Sequence, residues 1–399
     1  MNPREDGIKL SLERYGYTYE LLLAKGNFSR VFQVRESKDG WQYAVKMIQI
    51  KHGDTAKYSK RELELITRDK LSQENIVKYY HFWSMTVGND VFLCIQMELC
   101  RVSLEMFVYN NEMGGVEIIK AEGPPRFYEQ VFPQILKGLD AIHSLGWIHR
   151  DINVSNILIA NPKPREIREI IIKISDFGFA RKITRDEEFN NVTTLSVAPE
   201  GKLFKAPDLF NEYYDSKVDL YSAGIVLYFL SRYLEDKTQW TEEILELKKG
   251  NRGLQHLYHQ DDIKLSHLFL CLMKQNPTER PTAGEALQLI QSQEVPTKFL
   301  IKKFGEAYWR RCFSDKPTLS SLKAAVETCT RINAETQVLC QEKIFGDSEE
   351  RITIKIESDQ DVQCMFHEAK QQKARVLIIV SVQDISQKYR MVSDAMDVL

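Results

Sequence analysis

The sequence predicts an α+β protein: a small β-rich lobe, then a larger helical lobe, with a cleft between them. Three observations carry this. Apolar and polar residues alternate through residues 17–50, helical spacing dominates from residue 127, and the texture changes again after Ser292. In the first stretch YTYELLLAKG, FSRVFQV and WQYAVKMIQI are punctuated at Lys25-Gly26 and Asp39-Gly40, the pattern of an antiparallel meander. Residues 56–71 predict a helix with Leu63, Ile66 and Leu71 set among charges, and IVKYYHFW and VFLCIQMEL predict two more strands. Helices are expected over Phe127–Leu145, Lys217–Leu234, Leu265–Lys274 and Ala283–Ser292.

The change of texture places a boundary at QEVP, residues 293–296. The organisation is therefore a leader (1–16), a two-lobed unit (17–292) and a small C-terminal extension (297–399), α/β or helical. The extension is expected to be helical through 297–345. Strand, helix and strand follow: ITIKI (Ile352–Ile356), an amphipathic stretch near 361–373, and VLIIVSV (Val376–Val382). Within it, helix 319–333 aligns Leu322, Ala325, Val326 and Cys329 on one face. Core packing is the simplest role for that face; contact with a second copy or a partner protein is the other.

Composition narrows the function. The chain is 43% hydrophobic and 28% charged, ordinary for a globular protein and unlike a disordered one. Its 54 basic and 56 acidic residues give a net charge of −2, so no basic field recruits nucleic acid or anionic lipid. No apolar run approaches the roughly 20 residues of a membrane helix. The polar start, MNPREDGIKL, has no signal-peptide pattern. Seven cysteines without a CxxC pair imply neither a disulfide framework nor a zinc knuckle. The expectation is a soluble, cytoplasmic protein with no membrane or nucleic-acid partner.

The chemistry concentrates in HRDINVSN (His149–Asn156). Asp151 can accept a proton from an attacking hydroxyl, and the Asn156 amide oxygen suits a hard cation such as Mg2+. DFG follows (Asp176, Phe177, Gly178), with Asp176 a second oxygen ligand. Upstream, YAVK ends a strand with Lys46, which can hold nucleotide phosphates or simply be a solvated lysine. Glu62, or the ungapped alternative Glu64, would pair with it. AKGNFSRV keeps Gly26 of a GxGxxG but carries Ala24 and Ser29 at the other two positions. It reads as an ordinary hairpin or as a loop whose N–H groups cover phosphates.

With these motifs in this order, Tyr17 to Ser292 resembles the eukaryotic protein kinase superfamily. LCIQMELC, ENIVKYYHFW and KVDLYSAGIVLYFL are most similar to the translation initiation factor 2 alpha-subunit kinases. KAPD (Lys205–Asp208) is similar to the APE motif, with Arg280 of NPTERPTAGEAL as its partner and Asp219 holding the catalytic loop. The resemblance implies a bilobal fold, the cofactors ATP and Mg2+, and a protein substrate. It implies Asp151 as catalytic base, Lys46 on the phosphates, and Asn156 and Asp176 on the metal. It implies Leu23, Val31 and Ala44 above the adenine and Leu158 below, Met97 as gatekeeper, and backbone groups of Glu98 and Cys100 on the adenine edge. Ala24 and Gly26 would lie over the phosphates. Arg150 implies an activation segment ordered by phosphate, with Thr184, Thr193, Thr194 and Ser196 as acceptors. Two departures stand out: Asn153 replaces the lysine usual two residues after the catalytic Asp, and Gly201 or Lys202 replaces the usual Thr before the APE motif. The implied activity is phosphoryl transfer to Ser or Thr. The alternative is a nucleotide-binding pseudokinase or scaffold. With 16 residues ahead of the unit, no double-stranded-RNA-binding module is expected there.

Overall fold

A computed structural model of the chain describes residues 3–26, 29–50, 63, 73–161, 163–182, 203–210, 214–232, 237–248 and 263–291. Beyond these it describes 297–303, 310–314, 320, 322–323, 326, 337–345, 350–356, 360, 362 and 379–384. They form two compact units: residues 1–245 with 275–287, and 246–274 with 288–399.

The leader is helical: α1 spans Pro3–Arg14. Proline at its first position and Arg14 in its last turn suit the two ends of a helix. Ile8 and Leu12, one turn apart, are buried with Tyr17, Phe32, Val34, Val45 and Met47. The meander follows as β1 (Tyr17–Lys25), β2 (Ser29–Glu36) and β3 (Gln42–Gln49), then β4 (Tyr79–Val87) and β5 (Asp90–Met97). They make an antiparallel sheet in the order β1-β2-β3-β5-β4. Of the helix predicted over 56–71, only Leu63 is described; it is helical and packs on Ile48, Leu93 and Ile95.

The helical lobe begins with β6 (Val102–Ser103), α2 (Leu104–Tyr109) and α3 (Gly115–Glu122). A Cβ on Gly115 would sit 2.2 Å from the Phe107 carbonyl oxygen, so only glycine lets these two short helices meet. The long helix α4 (Pro124–Ser144) opens on two prolines and buries Phe127, Val131, Ile135, Leu139 and Ile142, the stripe its spacing predicts. Short strands follow: β7 (Trp147–Ile148), β8 (Ile157–Ile159), β9 (Ile172–Ile174) and β10 (Arg181–Lys182). β8 pairs with β6 and β9, and β10 pairs with β7. This brings the loops on either side of DFG back beside HRD. Next comes α5 (Lys217–Arg232), apolar on all sides and buried from Val218 to Ser231. The remaining described helices are α6 (Lys237–Lys248), α7 (Ile263–Leu272) and α8 (Ala283–Gln291). The result is the expected β-rich and helical lobes.

The extension corrects one expectation. Residues 297–345, read as helical, contain strands β11 (Thr297–Lys303), β12 (Arg310–Ser314) and β13 (Gln337–Phe345). With β14 (Glu350–Ile356) and β15 (Ile379–Asp384) they form a sheet in the order β12-β11-β15-β13-β14. The cause is tertiary: β11 pairs parallel with β15, a partner far along the chain, and such pairing overrides local helical periodicity. The two predicted strands, ITIKI and VLIIVSV, fall in or overlap β14 and β15. Of helix 319–333, Leu322 and Val326 are helical and fully buried, as core packing requires; Ala325 and Cys329 lie outside the described residues. Among the described residues no helix is long and apolar enough to cross a membrane.

Candidate active site

Asp219, at the start of α5, organises the site. It is fully buried and accepts three hydrogen bonds: from the backbone N–H of His149 (2.8 Å), the backbone N–H of Arg150 (2.8 Å) and His143 Nε2 (2.9 Å). Burial pushes its carboxyl up, but these hydrogen bonds, that of His143 foremost, override this and hold it below the usual carboxylate range. Arg150 is thereby held at a left-handed φ of 63°, a conformation a non-glycine residue keeps only when its surroundings insist. His149 is fully buried, which lowers its pKa, so it is neutral. Its Nδ1 accepts the Asp151 N–H (3.2 Å), which leaves Nε2 to donate to the Ser175 carbonyl (3.0 Å).

Asp151 is the focus of this loop. Asn156 Nδ2 donates to both its Oδ2 (2.8 Å) and its backbone carbonyl (2.9 Å), which turns the Asn156 amide oxygen away from the carboxylate. Asn153 does not reach the carboxylate. Its Nδ2 donates to the Asp151 backbone carbonyl (3.0 Å), and its Oδ1 accepts from the N–H groups of Ser155 (2.9 Å) and Asn156 (3.1 Å). Lys205 supplies the contact that sequence reasoning missed. Its ammonium lies 2.5 Å from Asp151 Oδ1 and 2.5 Å from the Arg150 carbonyl, above the Phe179 ring at 5.3 Å. The signal was present in KAPD, where the lysine stood unassigned beside a motif lacking its own.

Lys46, buried on β3, reaches Asp176 Oδ1 at 2.8 Å, and Asp176 also accepts the Gly178 N–H (3.2 Å). Burial raises the Asp176 pKa, yet the Lys46 charge wins and keeps it lowered and ionised. Phe177 is buried between Tyr79 (6.3 Å) and His149 (4.9 Å), which keeps Asp176 on the Lys46 side. Glu62 and Glu64, the candidate partners of Lys46, lie outside the described residues. So do Thr184, Thr193, Thr194, Ser196, Gly201 and Lys202.

The structure also gathers the apolar residues. Ala44, Val77, Met97 and Cys100 form one cluster, with Leu23, Val31 and Leu158 packed against it alongside Tyr79, Leu99 and Ala160. Burial pushes the Cys100 thiol up to about 12, so it is an uncharged wall residue. Glu98 uses its side chain elsewhere, pairing with Lys173 at 3.1 Å. Ala24 lies in register with Val31, and the Gly26 N–H closes the turn onto the Ser29 carbonyl (2.8 Å). Below the cleft Arg280 clamps Asp208 through two bonds, 2.6 and 3.0 Å.

A donor set of one amide oxygen and one carboxylate, with a lysine beside it, fits a nucleotide-borne Mg2+. That ion keeps several waters and binds through few protein ligands plus substrate phosphates. Among the described residues no group of three or more His, Cys, Asp or Glu could form an all-protein metal cage.

An apolar cluster, a buried lysine paired with Asp176 and an aspartate bonded at both carboxylate oxygens are groups that phosphoryl transfer would need, and the family comparison agrees with that class of chemistry. The family described as protein kinase domain matches residues 17–290, and the chain belongs to it. The chain is similar to the membrane-associated tyrosine- and threonine-specific cdc2-inhibitory kinase of Drosophila melanogaster, with 28% identity over 72% of this chain and 50% of that protein. It is 27% identical to the mouse interferon-induced, double-stranded RNA-activated protein kinase, over 72% and 56%. It is 28% identical to the Arabidopsis thaliana eIF-2-alpha kinase GCN2, over 71% and 26%. The chain thus spans about half or less of the length of these relatives. The eIF-2-alpha kinase and the cdc2-inhibitory kinase thus share the same level of likeness, 28%.

Proposed function

We propose that the chain transfers the γ-phosphoryl group of ATP to Ser or Thr hydroxyls of a protein substrate. The observation that supports this is the pairing of Lys46 with Asp176 and of Asp151 with Asn156, on two loops joined by the Ser175 N–H to the Asn156 carbonyl. Asp151 takes the hydroxyl proton as the hydroxyl oxygen forms its bond to phosphorus. The bond to the bridging oxygen breaks, and its electron pair leaves with ADP. Lys46 binds the α- and β-phosphates. Asn156 and Asp176 would hold Mg2+, which would supply neutralisation of the phosphate charge. Leu23, Val31, Ala44 and Leu158 sandwich the adenine, with Met97 behind it and backbone groups of Glu98 and Cys100 on its edge. Ala24 and Gly26 cover the phosphates, and Glu62 orders Lys46.

The test is phosphate incorporation into a general protein acceptor, with phosphoamino-acid analysis, for wild type against Asp151→Ala. Incorporation on Ser and Thr that Asp151→Ala abolishes is expected. Equal incorporation by both variants would overturn the reading and leave a nucleotide-binding scaffold. Phosphotyrosine alone would overturn its specificity.

A further inference from the structure

We infer that Lys205 is the positioning residue for Asp151, filling from a different segment the place that Asn153 leaves without a cation. This rests on the phosphotransfer reading and deepens it. Four observations carry it. The Asp151 carboxylate is gripped on both sides, Oδ2 by Asn156 and Oδ1 by Lys205. Asn153 spends its side chain on the loop backbone and leaves the carboxylate alone. Lys205 is 2% exposed, and a buried ammonium is retained only where anionic or carbonyl oxygens receive it, here Asp151 and the Arg150 carbonyl. Finally, its backbone is anchored: Asp208, three residues on, is clamped by the buried Arg280. A base gripped at both oxygens presents a defined lone pair to the incoming hydroxyl and needs no reorganisation as the proton moves.

The inference explains how the site does without a lysine at position 153. A lysine two residues after the base is dispensable because its charge arrives from KAPD. The same swap makes the base depend on the segment that Lys205 begins, so whatever moves that segment also releases Asp151.

The experiment compares wild type, Lys205→Met, Asn153→Lys with Lys205→Met, and Asp151→Asn. It measures kcat and KM for ATP and for a protein acceptor, with thermal denaturation of each variant. Methionine matches the length of lysine and suits a buried site. Lys205→Met is expected to lower kcat about 10²- to 10³-fold, the usual loss for one preorganised contact, with both KM values within about threefold. Adding Asn153→Lys is expected to restore at least about tenfold of that loss, a rescue that a merely structural role would not show. A folded Lys205→Met with wild-type kcat, or a loss that Asn153→Lys leaves untouched, overturns the inference while Asp151→Asn stays inactive. Wild type no better than Asp151→Asn removes the kinase reading and the inference with it. If Lys205→Met fails to fold, Lys205→Gln keeps a donor for the Arg150 carbonyl without the charge, and wild-type kcat in that variant is equally decisive against it.

Discussion

Arg280→Leu is expected to destabilise the catalytic unit severely, although it lies away from the reacting groups. The Arg280 side chain has no exposed surface and the Asp208 side chain is 6% exposed. The guanidinium gives the carboxylate two bonds, donates to the carbonyls of Lys217 and Gln275 (both 3.2 Å) and stacks 4.9 Å from the Tyr221 ring. Leucine would leave the Asp208 carboxylate in a dry site without its counter-ion, which costs about 3–5 kcal/mol. At about 2–4 °C per kcal/mol for a unit of this size, the melting temperature should fall by about 6–20 °C. The pair itself is worth far less than its rupture, so Arg280→Leu with Asp208→Leu should recover much of the loss, a coupling on the order of 0.5–3 kcal/mol. Asp208→Glu would install the acid usual in the APE motif, yet it should be worse than wild type. The aspartate already closes to 2.6 Å, and one added methylene in a filled site costs about 1–3 kcal/mol. The assay is thermal unfolding by circular dichroism, with urea titration for the energies. A loss below about 1 kcal/mol for Arg280→Leu, the range of an exposed pair, or a more stable Asp208→Glu, would refute the reasoning.

Two other outcomes are expected. Leu12→Ala should cost about 2–5 kcal/mol by urea titration, because Leu12 is fully buried in the sheet core; a change near zero would mean that the leader is dispensable. Stability should also fall in two steps with acid. His149 is depressed below its ordinary value near 6.5, so its contribution is present above about pH 6.5. It is lost as pH falls from there toward the folded pKa, because the unfolded chain binds the proton first. Asp176 and Asp219 are held below the ordinary 3.8, so their contribution persists to about pH 4 and is lost as pH falls further. Urea midpoints that stay constant from pH 7 to pH 5 would contradict the buried, neutral His149.

What could be read from the sequence was local or tied to spacing. Alternation through residues 17–50 marks the meander because side chains of a strand alternate faces whatever the strand pairs with. HRD, Asn156 and DFG are legible because β8 and β9 return the chain over a short distance and fix their separation. The six apolar positions from Leu23 to Leu158 could be named only through their order, since each alone reads as ordinary core. Three features were not legible, each for a physical reason. Among the described residues of the leader only Ile8 and Leu12 are buried apolar ones, too few to mark a packed helix. Within residues 297–345, β11 pairs parallel and β13 antiparallel with a strand near residue 380, contacts that no local window contains.

The third, Lys205 on Asp151, joins residues 54 apart and turns on what position 153 lacks. An absent lysine read at one position suggests a weakened site, whereas the same absence read beside KAPD shows a charge that has moved. Its new position changes the site's logic. A lysine at 153 would travel with the loop that Asp219 holds. Lys205 travels instead with the Asp208–Arg280 clamp, so the stability of that clamp and the alignment of Asp151 become one property. Arg280→Leu should therefore depress kcat even at temperatures where the unit remains folded, and Asp208→Leu added to it should restore folding more fully than it restores kcat.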